Sequence, residues 1–96
     1  MQIFAARSMT LDTAAKIDAG EDARRDLAMA KLFATNAAVD VFDRAIQIHG
    51  GMGVTNEMRL HEGWKTARTL RIADGTDEIL RNTVAKDLLR GNVGFA

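Results

Sequence analysis

The chain has no cysteine, no proline and no tyrosine, and its aromatic complement is four phenylalanines and one tryptophan in 96 residues. Without cysteine there is no disulfide framework, no thiolate nucleophile and no thiolate metal site. His49 and His61 lack the close pairing of a zinc site, so no metal is expected. An excess of one charge is missing too. Thirteen Lys and Arg stand against thirteen Asp and Glu, which leaves no basic field for nucleic acid or an anionic membrane surface. No apolar run reaches the roughly 18 residues of a membrane span, and Met1 to Arg7 lacks the pattern of a secretory leader. The expectation is a soluble globular chain with neither membrane insertion nor nucleic-acid partner, and at this length one small domain with a thin core.

What the chain does contain favours helix: Ala, Leu, Met, Arg and Glu are plentiful and nothing breaks the backbone but glycine. Residues 1–19 carry an apolar stripe at Ile3, Ala6, Leu11, Ala14, Ala15 and Ile17 that stops at Gly20, a left-handed terminator. Glu21 and Asp22 supply negative charge and a cap for a second helix over residues 23–49. Its face Leu27, Ala30, Ala34, Ala37, Ala38, Val41, Ala45 and Ile48 predicts close, alanine-mediated bundle packing. At about 40 Å this helix exceeds what a compact small globule needs. The charges Asp22, Arg24, Arg25 and Asp26 read as a solvated first turn. A third helix over 57–71 presents Leu60, Trp64, Ala67 and Leu70, with Gly63 inside it at some cost relative to alanine; Trp64 reads as packing rather than a stacking platform. A fourth begins at the Thr76 cap, with Asp77 and Glu78 in its first turn and Ile79 or Leu80, Val84 and Leu88 inward. The fold class is all-α, a bundle of about four helices.

Two glycine-bearing breaks carry the possible chemistry. Gln47-Ile48-His49-Gly50-Gly51-Met52-Gly53 is either a helix end with a flexible turn or a backbone surface that a phosphate or planar ring can approach, with the Gln47 amide one turn away. Asp74-Gly75-Thr76 is either a helix-initiating turn or a carboxylate base beside N–H groups able to hold a carbonyl oxygen. Residue chemistry alone leaves both open.

The residues also carry a resemblance. Ala5-Ala6-Arg7, Ala14-Ala15, Asp18-x-Gly20, the segment Ala28 to Ala34, Ala45-Ile46-Gln47-Ile48-His49-Gly50-Gly51-Met52-Gly53 and Arg71 to Ile79 together resemble the C-terminal helical domain of the acyl-CoA dehydrogenases, in order and in spacing. The resemblance implies FAD as cofactor, with Gln47, Gly50 and Gly51 against the adenine-diphosphate part of a flavin held mainly by a neighbouring subunit. Thr76 and Glu78 would touch FAD from the last helix. It implies an acyl-CoA substrate, Asp74 as the base that removes the α-proton, its main chain on the thioester carbonyl, and Gly75 lining the substrate position. Asp74 stands where many members have Glu; the Ala73-Asp74-Gly75 context resembles a branch that uses Asp, the alternatives being a base moved to another helix or lost activity. Lys65-Thr66 and Arg59 also depart from the common Arg-Asp pair and helix-starting proline.

Those relatives carry further domains, so the expectation is a partial C-terminal helical-bundle domain over residues 1–96, inactive alone. Expected partners are a second copy in a dimer or tetramer, or upstream dehydrogenase domains, and an electron-transfer acceptor. The compartment would be the cytoplasm in a bacterium, or the mitochondrial matrix or peroxisome in a eukaryote. The competing expectation is a non-enzymatic helical oligomerisation module derived from the same family.

Overall fold

Gly20, at φ 77°, closes the first helix. Its N–H bonds the Ile17 carbonyl and the next N–H, of Glu21, reaches back to Lys16, both at 3.0 Å. This pairing satisfies the carbonyls that a helix end leaves open. Gly91, at φ 92°, closes the last helix in the same way. Between these stops the computed structural model, which describes residues 1–94, contains α1 (Gln2–Asp18), α2 (Arg24–His49), a 3-10 turn (Gly50–Val54), α3 (Leu60–Leu70) and α4 (Asp77–Leu89), with no strand among the described residues. The all-α expectation holds.

Helix α2 is the spine. α1, α3 and α4 each pack on it and not on one another. The buried apolar residues are all alanines: Ala23, Ala28, Ala30 and Ala37 at the start and along the length of α2, and Ala67 on α3. Small side chains let helix axes approach closely, as the alanine pattern predicts, but they bury little apolar area each. Among the described residues no large side chain is fully buried. The molecule measures 49 × 23 × 19 Å with a radius of gyration of 15.8 Å, against about 12.5 Å for a compact chain of this length. Its accessible surface is 6814 Å², against roughly 5,400 Å² for a typical monomer of this mass.

Several expected faces are rotated. On α1, Ile3, Leu11 and Ile17 are exposed and Thr13 is buried instead, its hydroxyl donating to the Met9 carbonyl at 2.8 Å. Polar tethers to α2 set this rotation. The Gln2 amide donates to Asp40 at 3.0 Å, and Lys16 pairs with Asp26 at 2.7 Å, so the face Gln2, Met9, Thr13 and Lys16 turns inward. The bonds to Asp26 and then Asp12 hold the Lys16 ammonium above its ordinary pKa. On α2, Leu27 and Ile48 are exposed. On α4, Leu80 takes the half-buried place while Ile79 is exposed. Trp64 stands 36% exposed at the edge of α3.

In the cluster expected to be a solvated first turn, Asp22 and Arg24 are exposed, but Arg25 and Asp26 serve as tethers. Arg25 pairs with Asp87 at 3.2 Å and donates to the carbonyls of Asn92 (2.5 Å) and Gly94, while Asp26 holds Lys16. α3 begins at Leu60 rather than residue 57 because Arg59 adopts a left-handed φ of 55°. Proline, with its φ fixed near −65°, cannot take that conformation, so Arg59 marks a real local departure from the related pattern.

The mid-helix Gly63 has a packing reason: a Cβ there would overlap the Phe42 ring. Gly53 meets backbone rather than a side chain, since its Cβ would lie 2.5 Å from the Ile46 carbonyl oxygen and 2.9 Å from its Cα, whereas nothing stands within 4 Å of one on Gly51. Gly53→Ala is therefore expected to lose about 2–4 kcal/mol in urea unfolding through forced backbone displacement, and Gly51→Ala less than about 0.5 kcal/mol. Equal losses would contradict this division of roles.

Candidate functional site

The loop between α3 and α4 is built from two successive left-handed residues, Asp74 at φ 54° and Gly75 at φ 99°. Aspartate tolerates this conformation better than most residues, and glycine takes it freely. Lys31, from the middle of α2, pins the loop. Its ammonium donates to the carbonyls of Ala73 at 2.5 Å, Asp74 at 3.1 Å and Gly75 at 2.7 Å. With three carbonyls turned toward Lys31, the N–H groups of Asp74 and Gly75 find no partner among the described residues. Consecutive N–H groups in such a turn form a cradle for an anion or a carbonyl oxygen. The Asp74 side chain itself is exposed.

A second anchor lies one turn further on. Thr76 caps α4, its hydroxyl oxygen accepting from the Ile79 N–H at 3.2 Å, and that hydroxyl retains its own proton for a ligand. Asp77, in the first turn of α4, is buried: Asn36 Nδ2 donates to its Oδ2 at 2.9 Å and Arg71 Nε at 3.0 Å. Its Oδ1 is buried without a hydrogen-bond partner. Burial pushes the Asp77 carboxyl up in pKa, but the Asn36 and Arg71 hydrogen bonds and the charges of Arg71 and Arg81 outweigh it and hold the group below its ordinary value. Glu78 is exposed beside it.

Asp74 also borders a groove of about 390 Å³ lined by Arg24, Leu27, Ala28, Lys31, Leu80 and Thr83. A carboxylate, adjacent free N–H groups and an apolar floor thus meet in one place. The arrangement suits proton abstraction beside a carbonyl: the carboxylate takes the proton and the N–H groups stabilise the charge that develops on oxygen.

Gln47, Gly50 and Gly51 lie elsewhere. Gln47 follows Lys31 by sixteen positions on α2, about 24 Å along the axis, so the two glycine-bearing segments are not brought together. All three residues are exposed, and Gly50 takes φ 63° at the helix end. The 3-10 turn is fastened from behind by the close Gly53–Ile46 approach and by Thr55, whose N–H and hydroxyl both donate to the Met52 carbonyl. What faces outward is open backbone at Gly50 and Gly51 with an amide beside it, which fits a flat or phosphorylated ligand such as FAD. Among the described residues no group of three or more His, Asp or Glu could hold a metal ion, and no helix is long and apolar enough to cross a membrane.

The sequence profile of the acyl-CoA dehydrogenase C-terminal domain matches residues 1–89. The chain belongs to the acyl-CoA dehydrogenase family. It is similar to the probable acyl-CoA dehydrogenase IBR3 of Arabidopsis thaliana, with 44% identity over 88 residues, 90% of this chain and 11% of the relative. Among solved structures it is similar to butyryl-CoA dehydrogenase from Megasphaera elsdenii, at 34% identity and TM-score 0.91 over 94% of this chain and 24% of that one. It also matches the FAD complex of PigA, at 34% identity and TM-score 0.89 over 94% and 24%. The chain thus spans between a tenth and a quarter of the length of these dehydrogenases and relatives.

Sequence reasoning missed Lys31, Asn36, Arg71 and Asp77 as the fasteners of the site. Lys31 stands within the family-like segment Ala28 to Ala34, so its position was marked, but its three carbonyl partners are more than forty residues away. Since a native pKa below the unfolded one stabilises only while the group is ionised, the Asp77 contribution is complete above its unfolded pKa of about 3.9 and is lost as pH falls through its lower native value. Asp77→Asn should therefore cost about 1–3 kcal/mol at pH 7, a gap that closes below about pH 4 in paired denaturation curves. A gap constant from pH 7 to pH 2 would contradict the charge assignment.

Proposed function

We propose that the chain supplies the C-terminal helical part of an FAD-dependent acyl-CoA dehydrogenase that converts an acyl-CoA thioester to the trans-2-enoyl-CoA, and that residues 1–96 alone do not complete the catalytic centre. The observation that carries this reading is the loop held by Lys31, where the exposed Asp74 carboxylate stands next to unpartnered N–H groups at the edge of an apolar groove. In it Asp74 takes the α-proton, the Asp74 N–H donates to the thioester carbonyl, and Gly75 leaves room for the substrate because it has no side chain. Proximity and alignment matter greatly in such a step, and Asp is one methylene shorter than Glu. Lys31 compensates by fixing the main chain that carries the shorter arm. FAD, when bound, supplies the acceptor for the β-hydrogen, which leaves as hydride.

Gln47, Gly50 and Gly51 would hold the adenine-diphosphate part of one FAD and Thr76 and Glu78 would contact another. A separation of about 24 Å along α2 supports two flavins shared between neighbouring subunits. Reoxidation would fall to an electron-transferring flavoprotein. Ile3, Phe4, Ile48 and Leu89 are exposed, and assembly with a second copy or with upstream dehydrogenase domains would remove such apolar side chains from water.

In the protein assembled with the further domains its relatives carry, Asp74→Asn should lower the rate of flavin reduction by butyryl-CoA at least about 10³-fold, with Asp74→Glu retaining measurable rate; full activity of Asp74→Asn removes the residue from the role. The 96-residue chain should sediment as a dimer or tetramer at micromolar concentration. A stable monomer across that range counts against the shared-flavin arrangement.

A further inference from the structure

The other cations that tether one helix to the next are neutralised: Lys16 by Asp26 and Asp12, Arg25 by Asp87, and Arg71 by Asp77. Lys31 is not. No carboxylate lies within 4.0 Å of its ammonium among the described residues, and the three donor protons of a lysine face three carbonyls, those of Ala73, Asp74 and Gly75. Lys31 is half-buried in the wall of the groove that Asp74 borders, where water screens its charge incompletely. Hydrogen bonds alone suffice to fasten a loop. This fastening also brings a full positive charge to three consecutive peptide groups.

The peptide units here are trans, so in each of them the carbonyl and the N–H point in opposite directions. The carbonyls of Ala73, Asp74 and Gly75 belong to the same units as the N–H groups of Asp74, Gly75 and Thr76. With the carbonyls on Lys31, those N–H groups point away from it, and none of the three has a partner among the described residues. A cation at the carbonyl oxygen draws electron density from the amide, which makes its N–H a stronger donor and a stronger acid. We propose that Lys31 is a positioning residue that acts on the reaction through these peptide groups: its ammonium polarises three successive amides, and the N–H groups of Asp74, Gly75 and Thr76 present the resulting positive charge to a carbonyl oxygen lying over the loop. When the α-proton passes to the Asp74 carboxylate, the electron pair it leaves shifts onto the thioester oxygen. Donors fixed and polarised before that charge appears stabilise it most. Asn36 and Arg71 have no such effect, because they donate to the Asp77 carboxylate and not to the loop carbonyls. The inference rests on the acyl-CoA reading of Asp74 and adds the source of the charge that the thioester oxygen meets.

Hydroxide-catalysed amide exchange in the 96-residue chain tests the polarisation without substrate or flavin. Hydroxide removes the amide proton and leaves a negative charge shared with the carbonyl oxygen, the atom that Lys31 touches. Hydrogen bonding and burial slow exchange, whereas a cation at that oxygen speeds it. The amides of Asp74, Gly75 and Thr76 should therefore exchange at least about fivefold faster than in an unstructured peptide of the same loop sequence. Lys31→Met should abolish that excess, Lys31→Arg should keep most of it, and Lys16→Met should leave it intact. Rates at or below those of the peptide, or an excess that survives in Lys31→Met, would overturn the proposal. In the protein assembled with the further domains its relatives carry, Lys31→Met should lower the rate of flavin reduction by butyryl-CoA at least about tenfold with KM within about threefold, and Lys31→Arg should retain part of the rate. An unchanged rate in Lys31→Met would overturn the role in the reaction. Asp74→Asn should leave the exchange excess in place, so failure of the base assignment and failure of the polarisation are separately visible.

Discussion

The close approach of three helices to the alanine face of α2 is the constraint on which the rest depends. Ala28, Ala30 and Ala37 bring neighbouring backbones near enough for polar side chains to bridge them, but an alanine core buries too little area to orient its partners by itself. Orientation therefore falls to polar tethers. Lys16–Asp26 sets α1, Arg25–Asp87 sets the end of α4, and Lys31 with Asn36 sets the loop that begins α4. Together they join α2 to α1, to both ends of α4 and to the loop that precedes it.

In this division of labour the site is fastened by polar contacts rather than by apolar packing. The loop at Asp74 is irregular backbone, and its conformation costs energy at a non-glycine residue. Three carbonyl bonds from one ammonium, the Thr76 cap and the Asp77 anchor hold it. The same bonds orient the loop carbonyls inward and leave the N–H groups outward, so the structural fastening and the candidate chemistry are two sides of one arrangement. A long α2 also keeps the Gly50–Gly51 turn and the Asp74 loop far apart, which suits sites completed by other polypeptide surfaces.

Much was legible in the residues. Four helices, the stops at Gly20 and Gly91, the Thr76 cap and the two glycine-bearing breaks are local properties, set by backbone conformational cost and by hydrogen bonds within a few residues. The family match likewise rests on order and spacing along the chain. The faces of the helices were less legible: Ile3, Leu11, Ile17 and Ile79 fit an apolar stripe as well as Thr13 and Leu80 do, and hydrophobic period alone does not choose among near-equivalent rotations when the core is this small.

What the sequence by itself determined is therefore the all-α class, the helix order, the family, and the glycine-bearing places where helices stop. Only the tertiary structure decided which glycines serve packing, as Gly53 and Gly63 do, and which stay open, as Gly50 and Gly51 do. It alone paired Lys31 with carbonyls of residues 73–75 and buried Asp77 against Asn36 and Arg71. The physical reason is range: caps and turns are fixed by neighbours within one or two helical turns, whereas Lys31 and Asn36 reach partners more than forty positions away, and those contacts exist only once α2 has gathered the other helices around it.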